Sequence, residues 1–355
     1  MQYIIREKTE NKFLYNAGSK AREDIDAILL REGAEVIDFI VPFTEKRAAA
    51  SSLKSLYYHY AVAQEWKKTL RNLKQGDTVY FQFPVKAHTV MMNSVIASLN
   101  ERGVCTVAFI HDLEYLRNTM YAGTAKKTGW RLKKEEISAL KSFSRIIVHN
   151  HSMSEFIQKA FAIPEERIIV LEIFDYLIPG FRDTEKSFDW KSVVIAGNMD
   201  PDKSGYIYRL PAAVQYELFG ANFAGTDSPN VHYNGKFLPD ELPMALNGGF
   251  GLVWDGERTD TCSGVFGGYL RYNNPHKTSL YLASGLPVII WSQAALADFV
   301  LKNRCGIAVN SLENLNEILN GISEEQYAEM KENAEHVGAL LREGYYTKKA
   351  VLQCA

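Results

Sequence analysis

The stretch RYNNPHKTSLYLASGLPVII, Arg271 to Ile290, reads as a short helix bounded at both ends and followed at once by a buried strand. Asn274 is a favoured N-cap. Pro275 suits the first helical position, because its missing N–H would be unpaired there anyway. Gly285 suits the left-handed position past the last turn. A helix over about 275 to 284 is therefore expected, running into the β-branched strand PVIIW, 287 to 291. FGLVW, 250 to 254, supplies an apolar strand before it. Strand, helix and parallel strand make the βαβ unit, which puts the first turn of the helix at the carboxyl edge of a parallel sheet.

The same alternation extends in both directions. Toward the N-terminus, strands are expected at 3 to 6, 35 to 41, 78 to 83, 104 to 110, 145 to 149 and 168 to 173, with helices at 19 to 32, 52 to 74, 89 to 101, 133 to 142 and from Ser152. After a polar stretch with Pro and Gly, the pattern restarts with strands at 192 to 197, 216 to 220 and 231 to 235, a helix near 239 to 247, and later a helix at 294 to 301 and a strand at 306 to 309. The expected organisation is an N-terminal Rossmann-like domain, 1–176, a linker, 177–189, and a C-terminal Rossmann-like domain, 190–335. A terminal helix, about 336–355, would pack back on the first domain. The expected fold class is α/β, with two parallel doubly wound sheets that would face each other across a cleft.

With 355 residues the chain suits two such domains. Hydrophobic residues make up 46% and charged residues 23%, a globular composition, and the formal charge of -2 argues against a nucleic-acid partner held by bulk electrostatics. The four cysteines, Cys105, Cys262, Cys305 and Cys354, have no metal-ligand spacing and are too few for a disulfide scaffold. The first residues lack the apolar core of a signal peptide, and no run is long enough to span a bilayer, so a cytoplasmic protein, at most peripheral to a membrane, is expected.

The first turn of the 275–284 helix carries unpaired N–H groups and the positive end of the helix dipole, and Lys277 adds a full charge, as a phosphate site requires. By itself the stretch also fits an ordinary capped helix with a solvated lysine, which is commoner. Its place after FGLVW and the loop DGERTDTCSGVFGGYLRYNN, where α/β ligands bind, favours the phosphate reading. In VVIAGNMDPDKSGY, Gly197 and Asn198 end a strand and Lys203 follows, an arrangement suited to a pyrophosphate. Asp200 and Asp202 flank a proline there, which marks a turn or helix start more often than a metal pair, so no metal is expected. In AFIHDLEYLR, His111 and Asp112 directly follow an apolar strand. Asp112 could take a proton from a hydroxyl with His111 as its neighbour, or could simply cap the next helix. Gly18, Ser19 and Lys20, in LYNAGSKARED, offer N–H groups at a helix start, which also fits a plain cap.

The helix 52 to 74 combines Tyr57, Tyr58, Tyr60 and Trp66 with Lys54, Lys67, Lys68, Arg71 and Lys74. It could lie on an anionic membrane surface, although an amphipathic helix with Leu53, Leu56, Tyr60, Ala63, Leu70 and Leu73 buried is the simpler reading. No GxGxxG or GxxxxGK[ST] motif is present, which removes the main support for a dehydrogenase or P-loop NTPase.

NGGFGLVWDG, YNNPHKTSLYLASGLPVII and FIHD resemble motifs of bacterial GT-B glycosyltransferases, namely the glucosyltransferases that extend O-linked N-acetylglucosamine on serine-rich repeat adhesins and the β-1,6-galactofuranosyltransferase-like proteins. The resemblance implies a UDP-sugar donor whose diphosphate is bound by Lys277, with Lys203 as a further donor-binding residue; His276, Asn274, Ser279, Gly197 and Asn198 are the candidates expected around them. Lys203 stands where the family usually has arginine, so it cannot make the planar bidentate contact. The resemblance further implies that Gly18, Ser19 and Lys20 approach the donor and that Asp112 acts as base beside His111. The glutamates that many retaining GT-B enzymes carry are replaced here by Tyr272 and Leu280.

The expected reaction is therefore an inverting, metal-independent transfer of glucose, galactose or galactofuranose, without cofactor, to a glycan, glycoprotein or lipid-linked acceptor. The resemblance also allows peripheral membrane contact and self-association. The alternatives are a non-catalytic GT-B-like subunit that binds a glycosyltransferase or a glycan, and a GT-B-fold sugar-nucleotide epimerase.

Overall fold

The computed structural model of the chain describes residues 1–8, 17–40, 52–121, 132–182 and 188–354. Part of the expected linker, 183–187, and residues 14–16 of the first strand-to-helix turn lie outside them. The chain divides into two compact units. One comprises Met1–Phe13, Ile25–Leu171 and Lys348–Ala355, the other Leu14–Asp24 and Glu172–Thr347. The division falls inside the first helix, Ala17–Arg31, and just past the start of the last, Tyr345–Leu352.

The first unit holds a six-stranded sheet in the order β2-β1-β3-β4-β5-β6. Its strands are β1 Gln2–Lys8, β2 Glu35–Ile40, β3 Thr78–Phe83, β4 Cys105–Ile110, β5 Arg145–Val148 and β6 Ile168–Val170, all paired in parallel. The central strands β3 and β4 are buried along nearly their whole length, as expected for a parallel sheet covered on both faces. Beneath one face Trp66 stacks on Phe39 at 3.7 Å and donates its indole N–H to the Ala87 carbonyl. Trp66 is thus core, not part of a membrane-facing stripe, whereas Tyr60, expected to be buried, is exposed. The Leu53 and Leu56 side chains lie outside the described residues. The helix ends at Thr69, five residues earlier than expected.

The second sheet has the order β12-β11-β10-β7-β8-β9. Its strands are β7 Val193–Asn198, β8 Tyr216–Ala221, β9 Val231–Tyr233, β10 Phe250–Val253, β11 Val288–Trp291 and β12 Gly306–Val309, again all parallel. The order reverses between β7 and β10, which makes their carboxyl ends the topological switch point. The helix His276–Ala283 crosses β10 closely because position 251 is glycine: a Cβ there would lie 2.1 Å from the Tyr281 ring. The Tyr281 hydroxyl in turn accepts from the Ala196 N–H at 2.6 Å, pinning the helix over β7.

The chain departs from its local sequence preferences at two places. Asn274 does not cap the helix His276–Ala283. Pro275 occupies the N-cap position without a side-chain bond, and the Asn274 amide donates to the Glu172 carbonyl at 3.0 Å. The stretch expected to be a long loop contains a helix, Gly264–Tyr269, whose glycine content hid it. Gly285, by contrast, adopts φ +77° after the last turn, and Leu286 N–H closes back on the Tyr281 carbonyl. No helix among the described residues is long and apolar enough to cross a membrane.

Candidate active site at the carboxyl edges of the sheets

In the second unit the switch point gathers four of the expected residues. Gly197 and Asn198 end β7, and Lys203 follows in the short helix Pro201–Ser204. The Asn198 side chain receives N–H groups from Asp200 and Asn222, which stiffens the turn. Asp200 is the N-cap of the short helix, accepting the Asp202 N–H at 2.9 Å with Pro201 at the first position, so the Asp-Pro-Asp sequence starts a helix. Lys203 holds the next loop through its own backbone, its carbonyl accepting from Gly256 N–H, and its ammonium lies 5.6 Å from the Phe266 ring.

Lys277 reaches from the first turn of its helix to the end of β10. Its ammonium donates to the Trp254 carbonyl at 3.0 Å and to Asp255 Oδ1 at 2.9 Å. Both partners of this ion pair are largely buried, with side-chain exposures of 16% and 10%, so the lysine is held in one place. An ammonium has three donors, and two are directed at these oxygens. Asp255 was not singled out from the sequence, although it directly follows the apolar run FGLVW. Burial holds the neighbouring Cys262 thiol protonated, far above its ordinary range.

The other residues expected here have partners in the segment 172–176. Asn274 donates to Glu172 O, Ser279 donates to Phe174 O at 2.6 Å, and the His276 ring lies over Tyr176 at 4.9 Å. All three bind the segment 172–176 to the helix. Burial, with help from the Lys20 charge, pushes the His276 pKa down to about 4, against a backbone hydrogen bond at Asp175. Its Nε2 is buried with no hydrogen-bond partner among the described residues.

Gly18, Ser19 and Lys20 lie in the first turn of the helix Ala17–Arg31, at a helix start as expected. Lys20 is buried, donating to Asp24 Oδ1 and the Leu177 carbonyl, each at 2.7 Å, and pairing with Asp240 at 3.0 Å. Burial raises Asp24 to about 6 despite that pairing.

In the first unit His111 and Asp112 follow β4 at the carboxyl edge. Asp112 accepts the N–H of Leu113 and forms an ion pair with Arg117. It is not the main cap of the following helix, Glu114–Tyr121. The N–H groups of Glu114 and Tyr115 go to the two carboxylate oxygens of Glu136, at 2.9 and 2.8 Å. Glu136 sits on a π-helical turn, Lys133–Ile137, and burial raises it to about 8 against those two bonds. His149, also buried, donates from Nε2 to the Ile110 carbonyl at 3.1 Å and is pushed down to about 3 by desolvation. A neutral imidazole beside a carbonyl must donate, so its Nε2 carries the hydrogen. Glu136 and His149 were invisible in the sequence, since nothing local marks a carboxylate 22 positions after the first residue of the helix it caps.

These two edges, one with glycine and lysine at a switch point and the other with imidazole and carboxylate, belong to a glycosyltransferase of the GT-B type. The chain belongs to the Glucosyltransferase 3-like family: its N-terminal domain profile matches residues 1–173 and its C-terminal domain profile residues 193–354. It is 34% identical over 284 residues to the beta-1,6-galactofuranosyltransferase WbbI of Escherichia coli (strain K12), covering 78% of each chain. It is 26% identical over 280 residues to Glucosyltransferase 3 of Streptococcus gordonii, again over 78% of each. Among solved structures it matches WaaG, a glycosyltransferase involved in lipopolysaccharide biosynthesis, with TM-score 0.57 and 14% identity over 99% of this chain and 98% of that one. Anabaena Alr3699/HepE in complex with UDP and glucose matches with TM-score 0.56 and 14% identity, over 99% and 98%. These structural matches show the fold.

Proposed function

We propose that the protein transfers a hexose from a UDP-sugar to a hydroxyl of a glycan acceptor with inversion at the anomeric carbon. The observation that carries this reading is Lys277, held by Asp255 and the Trp254 carbonyl at the end of β10, beside the switch point. There the ammonium and the N–H groups of the helix first turn stabilise the diphosphate as it leaves. Gly197 and Asn198 let the backbone approach the pyrophosphate, with Lys203 near it. Asp112 takes the proton of the acceptor hydroxyl as its oxygen attacks the anomeric carbon, and the bond from that carbon to the diphosphate oxygen breaks.

Lys277 and fixed N–H groups stand in this reading where other transferases use a divalent metal, and Asp200 is engaged as a helix cap. The galactofuranosyl and glucosyl names of the relatives support a hexose donor, and the UDP complex of the Anabaena structure supports the nucleotide. Tyr272 and Leu280, in place of the retaining glutamates, support inversion. The acceptor class would be a surface polysaccharide or a glycoprotein glycan, built from the cytosolic side with at most peripheral membrane contact.

The test is a screen of UDP-glucose, UDP-galactose, UDP-galactofuranose and UDP-N-acetylglucosamine, followed by proton NMR of the product at the first turnovers. Inversion is expected, with turnover unchanged by EDTA. A retained anomeric configuration, or activity lost to EDTA and restored by manganese, would overturn the mechanism.

A further inference from the structure

His111 is backed by a line of three side chains, all in the unit that contains β1 to β6. Arg6 Nε donates to Asp26 Oδ2 at 3.1 Å, Gln82 Nε2 donates to Asp26 Oδ1 at 2.6 Å, and His111 Nε2 lies 2.7 Å from Gln82 Oε1. Arg6 comes from β1, Asp26 from the first helix and Gln82 from β3. Asp26 and Gln82 are both buried, and Phe109 stacks beside the imidazole with ring centroids 5.8 Å apart.

The chemistry of each member dictates the next. A carboxylate paired with a guanidinium only accepts, so Gln82 must turn its NH2 toward Asp26. The amide oxygen then faces the imidazole, and it too only accepts. The ring nitrogen opposite it must therefore carry hydrogen. We infer that Arg6, Asp26 and Gln82 form a positioning relay that holds His111 as its Nε2–H tautomer and directs proton exchange to Nδ1.

When Nδ1 takes up a proton the ring becomes an imidazolium, and the Nε2–H bond to Gln82 survives unchanged. The ring thus alters its charge without rotating, which keeps it pre-organised next to Asp112. The importance of the relay for turnover rests on the placement of His111 in the site proposed above; the tautomer itself does not.

Asp26→Asn tests the relay at one atom. Arg6 claims the oxygen of the new amide, which leaves its NH2 facing Gln82. Gln82 must then flip, presenting NH2 to His111 and driving the proton to Nδ1. In the full chain labelled with 15N-histidine, and with His111 assigned by its loss in His111→Asn, the wild type should show a pyrrole-type Nε2 and a pyridine-type Nδ1. Asp26→Asn should exchange the two, and kcat should fall on the order of a hundredfold with the donor KM within about twofold. Gln82→Met, which keeps the shape and removes the amide, should give a mixture of tautomers and serves if Asp26→Asn does not fold. A wild-type His111 protonated at Nδ1 overturns the relay. If the tautomer exchanges and turnover does not change, the relay stands and His111 is removed from the chemistry, which overturns its place in the proposed site instead.

Discussion

The carboxyl edges of the two sheets are built in opposite ways. At the β7/β10 edge the chemistry is local: Gly197 and Asn198 terminate one strand, Asp255 follows another, and Lys277 sits in the first turn of the helix that leads into β11. At the β4 edge His111 and Asp112 are adjacent in sequence, but their environment comes from afar. Glu136 lies 22 residues past Glu114, Gln82 29 residues before His111, and Asp26 56 before Gln82. An anion is bound by backbone and a fixed cation, which a short segment can supply by itself. Proton transfer needs a tuned environment, and tuning is done by neighbours that only folding brings together.

The largest effect that separates the edges should come from Asp112→Asn. Transfer is expected to fall about 10² to 10⁴-fold while UDP binding measured by calorimetry stays unchanged. Near-normal turnover would take Asp112 out of the base role. Lys277→Ala should do the reverse, weakening UDP about ten- to a hundredfold, the worth of a charge-assisted hydrogen bond of ~1.5–3 kcal/mol. Unaltered UDP affinity would remove the phosphate site from the β7/β10 edge.

Gly251→Ala probes the support of that edge rather than its chemistry. The new Cβ meets the Tyr281 ring, and chemical denaturation should register a loss of about 1–3 kcal/mol or more. Stability equal to wild type would mean that the helix can lift from β10 at little cost.

Glu136→Gln tests the tuned edge through pH. The folded-state pKa of Glu136 is raised to about 8 from an ordinary 4.5, so the folded protein binds the proton more tightly than the unfolded chain. This group therefore makes stability fall as pH rises through the window from about 4.5 to 8. Asp24 and Asp175, raised to about 6 and about 7 by burial, add to the same slope. His149 and His276, held neutral, act oppositely, and their contribution is lost as pH falls from 6.5 toward about 3 and about 4. The difference between the wild-type and Glu136→Gln profiles isolates the Glu136 share, and the variant should show the shallower decline toward pH 8. Parallel profiles would show Glu136 to be an ordinary carboxylate.

The smallest effect should come from Ser279→Ala. It removes the hydroxyl bonded to Phe174 O, which should cost ~1 kcal/mol of stability with UDP affinity untouched. A clear loss of UDP affinity would return Ser279 to the donor site and blur the division between Lys277 and its helix neighbours.

Much of the architecture was legible because parallel strands buried on both faces are apolar without interruption and end at glycines or polar turns. The strand 78–83 and the strand 306–309 have the bounds read from the sequence. Failures occurred where a long-range partner outweighed a local preference. Asn274 looks like a cap, yet the Glu172 carbonyl takes its amide. Lys20 begins its helix as expected, but the Asp24, Asp240 and Leu177 O partners that enclose its side chain could not be read locally. The helix Gly264–Tyr269 forms despite glycines at 264, 267 and 268, because packing overrides propensity in so short an element.

The sequence by itself determined the two parallel sheets, the position of Lys277 at the end of one and of His111 and Asp112 at the end of the other. These follow from hydrophobic period, Pro and Gly punctuation, and the rule that parallel strands return through helices, all of which act over a few residues. Only the tertiary structure decided that Asp255 orients Lys277, that Asn274, His276 and Ser279 hold the segment 172–176, that Glu136 caps the helix after Asp112, and that Arg6, Asp26 and Gln82 line up behind His111. The physical reason is that a buried polar atom must be satisfied by whichever group the fold brings within reach, and that partner has no signature in the local sequence.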